Sequence, residues 1–237
     1  MARILNIETS TEICSVTLAQ DGKTLFKKES SEGLNHSRIL TVFIEELFNE
    51  NNVDIKSLDA VAVSKGPGSY TGLRIGVSVA KGICYGLNIP LISVNSLEVI
   101  GKYTAKNVSK YISLNKNESV FFCPMIDARR MEVYTALFDR EGKEIQTVSA
   151  EIIEENFLSE LLKNNKILFF GNGADKCKNT IQHKNAIFNG PATTSAEFMQ
   201  AVSDEKYNKN QFEDVAYFEP FYLKDFIVTI PKNKVLK

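Results

Sequence analysis

The chain has 237 residues, with 28 Lys and Arg against 29 Asp and Glu and a formal charge of −1. That length makes one large domain or two small ones, and a core of that size needs no disulfide or metal staples. The even charge balance excludes an autonomous nucleic-acid binder, which needs a surplus of Lys and Arg to neutralise phosphates. A composition of 43% hydrophobic and 24% charged residues excludes a disordered or fibrous chain.

From the first residues, Ile4 to Ile7 and Ile13 to Leu18 carry strand-type apolar residues around a Thr/Ser-rich turn, and Asp21-Gly22 turns the chain into a third strand over Lys23 to Glu29. Ile39, Leu40, Phe43, Ile44, Leu47 and Phe48 recur at helical spacing and predict a helix over Asn35–Asn51. A short buried strand at Ala60–Val63 leads into the glycine-rich run Gly66 to Gly76. A helix follows over Thr71–Tyr85, then a strand over Ile89–Val94 and a helix opening at Ser96.

The same β-β-β-α-β-α-β-α order is legible again. Strands are expected over Val120–Ile126, Glu132–Phe138 and Glu144–Val148, then an amphipathic helix over Glu151–Leu162. A strand at Ile167–Phe170, a Gly171-Asn172-Gly173 turn into a short helix, a strand at Ala186–Phe188 and a helix over Ser195–Val202 complete it. The hairpin glycines Gly22 and Gly142 lie 120 residues apart, and the strand-end acids Glu8 and Asp127 lie 119 apart. The expected architecture is therefore α/β, a duplication of two ribonuclease-H-like lobes as in the actin-like and sugar-kinase superfamily, with one lobe over residues 1–105 and the other over 106–237. Phe212, Tyr217, Phe218, Phe221, Tyr222 and Phe226 read as a helix or strand docked on the body. The lysine-rich segment 224–237 reads as a solvated end.

Glu8, with Thr9-Ser10-Thr11, could hold a Mg²⁺–phosphate at a turn rich in hydroxyls and free N–H groups, and Asp127 stands at the matching place. The plainer reading has both acids satisfying the N–H groups of their own turns. Asp127-Ala128-Arg129-Arg130 lacks the glycines that let backbone close on phosphate. The run Gly66-Pro67-Gly68-Ser69-Tyr70-Thr71-Gly72 follows a strand and opens a helix, the setting of a phosphate loop, yet fits neither the P-loop nor the dinucleotide spacing. Within that helix Gly72, Gly76 and Ala80 recur every four residues, making a small face for close approach to the chain's own preceding helix or to a partner's. His36 and His183 are the two histidines, without metal-ligand spacing, and no G-x-S-x-G elbow accompanies them. Cys14, Cys84, Cys123 and Cys177 form no C-x-x-C pair and suit a reducing compartment. Without a signal-like segment or a run of ~20 apolar residues, a soluble cytoplasmic protein is expected.

Ile4-Leu5-Asn6-Ile7-Glu8-Thr9-Ser10-Thr11, the run Gly66 to Gly76, Val94-Asn95-Ser96-Leu97-Glu98, Asp127 to Tyr134, Gly171-Asn172-Gly173-Ala174 and Pro220-Phe221-Tyr222-Leu223-Lys224 together resemble the TsaB (YeaZ-type) family over nearly the whole chain. Glu8 stands where that family usually has Asp, Tyr70 where it has Phe and Lys224 where it has Arg. The resemblance implies a non-catalytic subunit of the bacterial system that makes threonylcarbamoyladenosine beside the tRNA anticodon. It implies pairing with a catalytic transferase paralogue, which holds its metal with a histidine pair that this chain lacks. It also implies a small P-loop ATPase partner, homodimers when alone, and tRNA contact indirectly through the complex. No metal or cofactor of its own is expected, although ATP or ADP at the cleft or at a subunit interface stays open, through Glu8, Thr9, Ser10 and Asp127 as vestigial phosphate turns. The partner surface carried over is the first two long helices, with His36, Ile39, Leu40, Phe43, Gly72, Leu73, Gly76 and Ala80. The alternative is an actin-like ATPase or phosphotransferase with its own nucleotide site.

Overall fold

The computed structural model describes residues 2–32, 35–114 and 118–224. In the first half, β1 (Arg3–Glu8), β2 (Cys14–Gln20) and β3 (Lys23–Ser30) form an antiparallel meander. Its second turn is made by Asp21 and Gly22, both at positive φ, the backbone that suits a tight hairpin. There follow α1 (His36–Asn49), β4 (Ala60–Gly66), α2 (Tyr70–Leu87), β5 (Leu91–Asn95) and α3 (Ser96–Lys106). The second half has β6 (Val120–Asp127), β7 (Glu132–Phe138), β8 (Glu144–Ile152), a single helical turn α4 (Ser159–Leu162), β9 (Lys166–Phe170), β10 (Ala186–Phe188) and α5 (Ala196–Asn208).

The two sheets run β3-β2-β1-β4-β5 and β8-β7-β6-β9-β10, the same order with the same mixture of antiparallel and parallel neighbours. The expected pair of ribonuclease-H-like lobes is thus present. Alternation along each strand sets the layers. Leu5, Ile7, Val61 and Val63 face α1 and α2, while Ile4, Ala60, Ala62, Ile92 and Val94 face the opposite side.

Three expectations need correction. No helix spans Glu151–Leu162: β8 continues to Ile152 opposite Glu132, and Ile153 N–H bonds to Met131 O at 2.9 Å. Only Ser159–Leu162 is helical, because pairing with β7 outcompetes a weak helical pattern. The short helix after Gly173 is a single 3₁₀ turn, Asp175–Cys177.

The division at residue 105 does not follow the packing either. Ala196, Met199 and Val202 of α5 lie in one cluster with Ile4, Ala62, Ile92 and Val94 of the first sheet. Leu97, Ile100 and Ala105 of α3 lie with Phe122, Ile126 and Phe138 of the second. Each half lends its last helix to the other half's sheet, and the Tyr103 and Phe198 rings stack at 3.9 Å where the two helices meet. Beyond α5 the chain straps back over the first lobe without regular structure. Glu213 N–H bonds to Leu91 O at 2.8 Å, Lys81 Nζ donates to the carbonyls of Ala216 and Phe218, and Phe221 N–H reaches Lys65 O at 2.7 Å. Apart from Lys224, the lysine-rich segment read as a solvated end, together with Phe226, lies outside the described residues.

Candidate functional site: two strand-end turns and the outer face of α2

The turn after β1 is sealed. Glu8, Thr9 and Ser10 are fully buried, and Glu8 Oε1 accepts the Ser10 N–H at 2.6 Å while Ser64 Oγ accepts the Thr9 N–H at 3.3 Å. Burial pushes the Glu8 carboxyl above its ordinary value of 4.5, and hydrogen bonds from Ser10 only partly offset that. The glycine-rich loop closes the turn from above. Ser69 N–H bonds to Ser10 O at 2.7 Å, and a Cβ on Gly68 would stand 2.2 Å from the same oxygen.

The glycines at the start of α2 serve this contact. A Cβ on Gly72 would lie 2.1 Å from Thr9 O, and one on Gly76 would lie 2.3 Å from Thr9 Oγ1. The phosphate-loop setting of the run is therefore filled by the chain's own first turn. Glu8, Thr9 and Ser10 do not fit a Mg²⁺–phosphate, because the Thr9 and Ser10 N–H groups already bond to Ser64 and Glu8 and the backbone at Gly68 and Gly72 closes on the Ser10 and Thr9 carbonyls.

The turn after β6 is open and differently engaged. Asp127 Oδ1 accepts the Arg129 N–H at 2.9 Å and forms a close ion pair with Lys176, whose Nζ also donates to Glu132 O at 2.7 Å. Asn172 joins the two turns: its Oδ1 accepts the Asp127 N–H at 3.0 Å and its Nδ2 donates to Glu12 Oε2 at 2.7 Å. The fold brings the two strand-end turns together, as the duplication implies, but holds them by direct protein hydrogen bonds. Among the described residues no group of three or more His, Cys, Asp or Glu is placed to hold a metal ion.

The partner surface carried over from the family resemblance needs correction at six of its eight residues. His36, Leu40, Gly72, Leu73, Gly76 and Ala80 are buried inside this chain. His36, expected at the partner surface, donates from Nε2 to Ile13 O at 3.0 Å. Ile39 and Phe43 are half-buried against the first-lobe core.

The free side of α2 carries a second small stripe that sequence reasoning missed. Ser78, Gly82 and Gly86 are exposed at four-residue spacing, and a Cβ on Gly82 or Gly86 would meet nothing within 4 Å. Half-buried Ile75, Val79 and Ile83 and the exposed Val42 and Tyr85 (85% accessible) complete an apolar face across α1 and α2. The signal was present in the sequence, since α2 repeats glycine at 72, 76, 82 and 86 and only the first pair faces inward.

A family model described as "TsaD: tRNA N6-adenosine threonylcarbamoyltransferase" matches residues 31–232. The "tRNA threonylcarbamoyladenosine biosynthesis protein TsaB" of Bacillus subtilis is 30% identical over 182 residues, covering 76% of this chain and 75% of that protein. The chain belongs to the TsaB family. The Haemophilus influenzae TsaB is 26% identical across 94% of this chain and 93% of its own length. Among solved structures, "YeaZ from Pseudomonas aeruginosa" matches with a TM-score of 0.72 at 21% identity, covering 94% of this chain and all of that one, a likeness of fold. The Carboxydothermus hydrogenoformans tRNA N6-adenosine threonylcarbamoyltransferase is 32% identical over 109 residues, covering 40% of this chain and 33% of that protein.

Proposed function

We propose that the chain is a non-catalytic subunit of cytoplasmic tRNA threonylcarbamoyladenosine synthesis, acting by pairing with its catalytic transferase paralogue through the outer face of α1 and α2. The observation that carries this reading is the open stripe Ser78–Gly82–Gly86 beside Val79, Ile83 and Tyr85. Two helix backbones approach closely only where side chains are small, and exposed glycines in a helix interior otherwise cost stability for no return. A face of that kind, extended over both helices, suits a docking interface of ~1,000 Å² or more. The same face pairs two copies of the chain when the transferase is absent. The small P-loop ATPase and tRNA are met through that assembly.

The two acids that an actin-like ATPase would use support the non-catalytic side of this reading, one sealed under Gly68 and the other held by Lys176. Any nucleotide of the assembly belongs at a subunit boundary. In the test, Gly82→Leu with Gly86→Leu abolishes co-elution with the transferase while the far-ultraviolet circular dichroism stays native. Unchanged co-elution overturns the assignment of the face. Loss of threonylcarbamoyladenosine from tRNA on depletion of the protein, read by nucleoside mass spectrometry, tests its place in the system.

A further inference from the structure

The hairpin between β6 and β7 presents its two arginines in a way that stability does not explain. Arg129 and Arg130 sit at its tip with φ of +71° and +52°, a backbone for which Asn-Gly is favoured and which a Cβ makes costly. Both side chains are exposed, and neither guanidinium has an ion-pair partner among the described residues. The hairpin beneath them is braced from every side. Ala128 N–H bonds to Glu132 O and Glu132 N–H to Arg129 O at 3.1 and 3.2 Å, Lys176 ties Asp127 to Glu132 O, and Lys224 pairs with Glu132. Asp127 and Glu132 are thereby paired with lysines, whereas the two arginines at the tip are not paired with an acid among the described residues.

The strap that delivers Lys224 also carries an aromatic deck from the first lobe. Tyr222 packs against Tyr70 with centroids 4.8 Å apart and ring planes tilted by 38°, Arg74 lies 4.3 Å over the Tyr70 ring, and its Nε donates to the Tyr222 hydroxyl at 3.1 Å. Only one residue separates Tyr222 from Lys224, so the same strap carries the deck and the lysine that braces the arginine hairpin through Glu132. Exposed guanidinium groups together with tyrosine and arginine planes are the chemistry that takes phosphodiesters and unstacked bases of RNA.

We propose that the Arg129–Arg130 tip is an RNA phosphate-binding fork, flanked by the Tyr70–Arg74–Tyr222 deck, through which this subunit touches the tRNA held by the assembly. The inference rests on the proposed pairing with the transferase. It agrees with the net charge of −1, since two or three local contacts add to an RNA surface that the partner supplies.

The test exploits the backbone. Arg129→Gly with Arg130→Gly removes both charges and relieves the positive φ, so thermal stability stays level or rises. Size-exclusion chromatography with the transferase comes first: failure of the wild-type chain to pair defeats the proposed function and is thereby told apart from failure of the fork. With pairing established, binding of an unmodified tRNA transcript to the complex is titrated by fluorescence anisotropy at several salt concentrations. The double variant weakens Kd roughly thirtyfold at about 0.15 M salt and makes the log–log salt dependence shallower by about 1.5–2, one counterion per arginine. Arg129→Lys with Arg130→Lys retains the salt slope. An unchanged Kd and slope overturns the proposal. Loss of transferase pairing in the glycine variant overturns it too, by assigning the arginines to a protein contact.

Discussion

Helix α2 has two glycine faces, and they do opposite things. Gly72 and Gly76 admit the chain's own first turn to within a distance at which no Cβ fits, whereas Gly82 and Gly86 look out on open space. Residue type and spacing are the same on both faces. What differs is the atom across the gap, and that atom is brought there by tertiary structure. A small-residue stripe read from sequence therefore reports close approach without reporting whose backbone approaches.

Substitutions separate the two faces sharply. Gly76→Leu drives a side chain into Thr9 and costs about 3 kcal/mol, a fall of about 6–12 °C in Tm. That change is expected to lower stability with or without the partner, in differential scanning fluorimetry of the isolated chain. Gly82→Ala goes the other way, raising helix stability by about 0.5–1 kcal/mol while weakening association in the same preparation. Equal destabilisation at the two positions would erase the distinction between the faces.

The two strand-end turns make a second contrast, resolved by pH. Glu8 is sealed with its carboxyl raised above 4.5, so the folded state holds that proton more tightly than the unfolded chain does. Its contribution is complete below pH 4.5 and drains away as the pH rises through the raised value. Glu8→Gln should consequently come closest to the wild type at low pH and gain on it as the pH rises, seen as a flatter Tm–pH curve. Asp127, exposed and paired with Lys176, has no such seal. The smallest expected effect is chemical: Cys14 and Cys123, with thiols pushed to about 12 by burial, and Cys84, pushed to about 11, stay unmodified by iodoacetamide at pH 8 until the chain unfolds.

Much of this fold was legible in the residues. The Asp21-Gly22 turn, the three-strand meander and its recurrence around Gly142 rest on local patterns, and local patterns survive into the structure. The helix expected over Glu151–Leu162 failed because its first two residues continue β8 opposite Val133 and Glu132, and Leu158 takes a positive φ that interrupts a helix. The acids Glu8 and Asp127 were placed correctly at their strand ends. The plainer reading, with each acid bonding an N–H of its own turn, holds for Ser10 and Arg129, but the seal by Gly68 and the ion pair with Lys176 come from distant parts of the chain and were not legible. The interface residues His36, Leu40, Leu73 and Ala80 were misplaced for a simpler reason. A helix packed on its own domain shows a partner only the side left free, and periodicity does not say which side that is.

The exchange of terminal helices sets an order on how this protein comes into being. The sheet of the first half is complete at Asn95, yet the helix that covers its inner side starts at Ala196, 101 residues later. A ribosome that has released the first five strands has released a layer with Ile4, Ala62, Ile92 and Val94 still uncovered. That layer waits for nearly the whole of the second half to emerge before it is closed. The two halves are thus committed together during synthesis, and a nascent chain arrested between them presents to chaperones the side that the finished molecule hides.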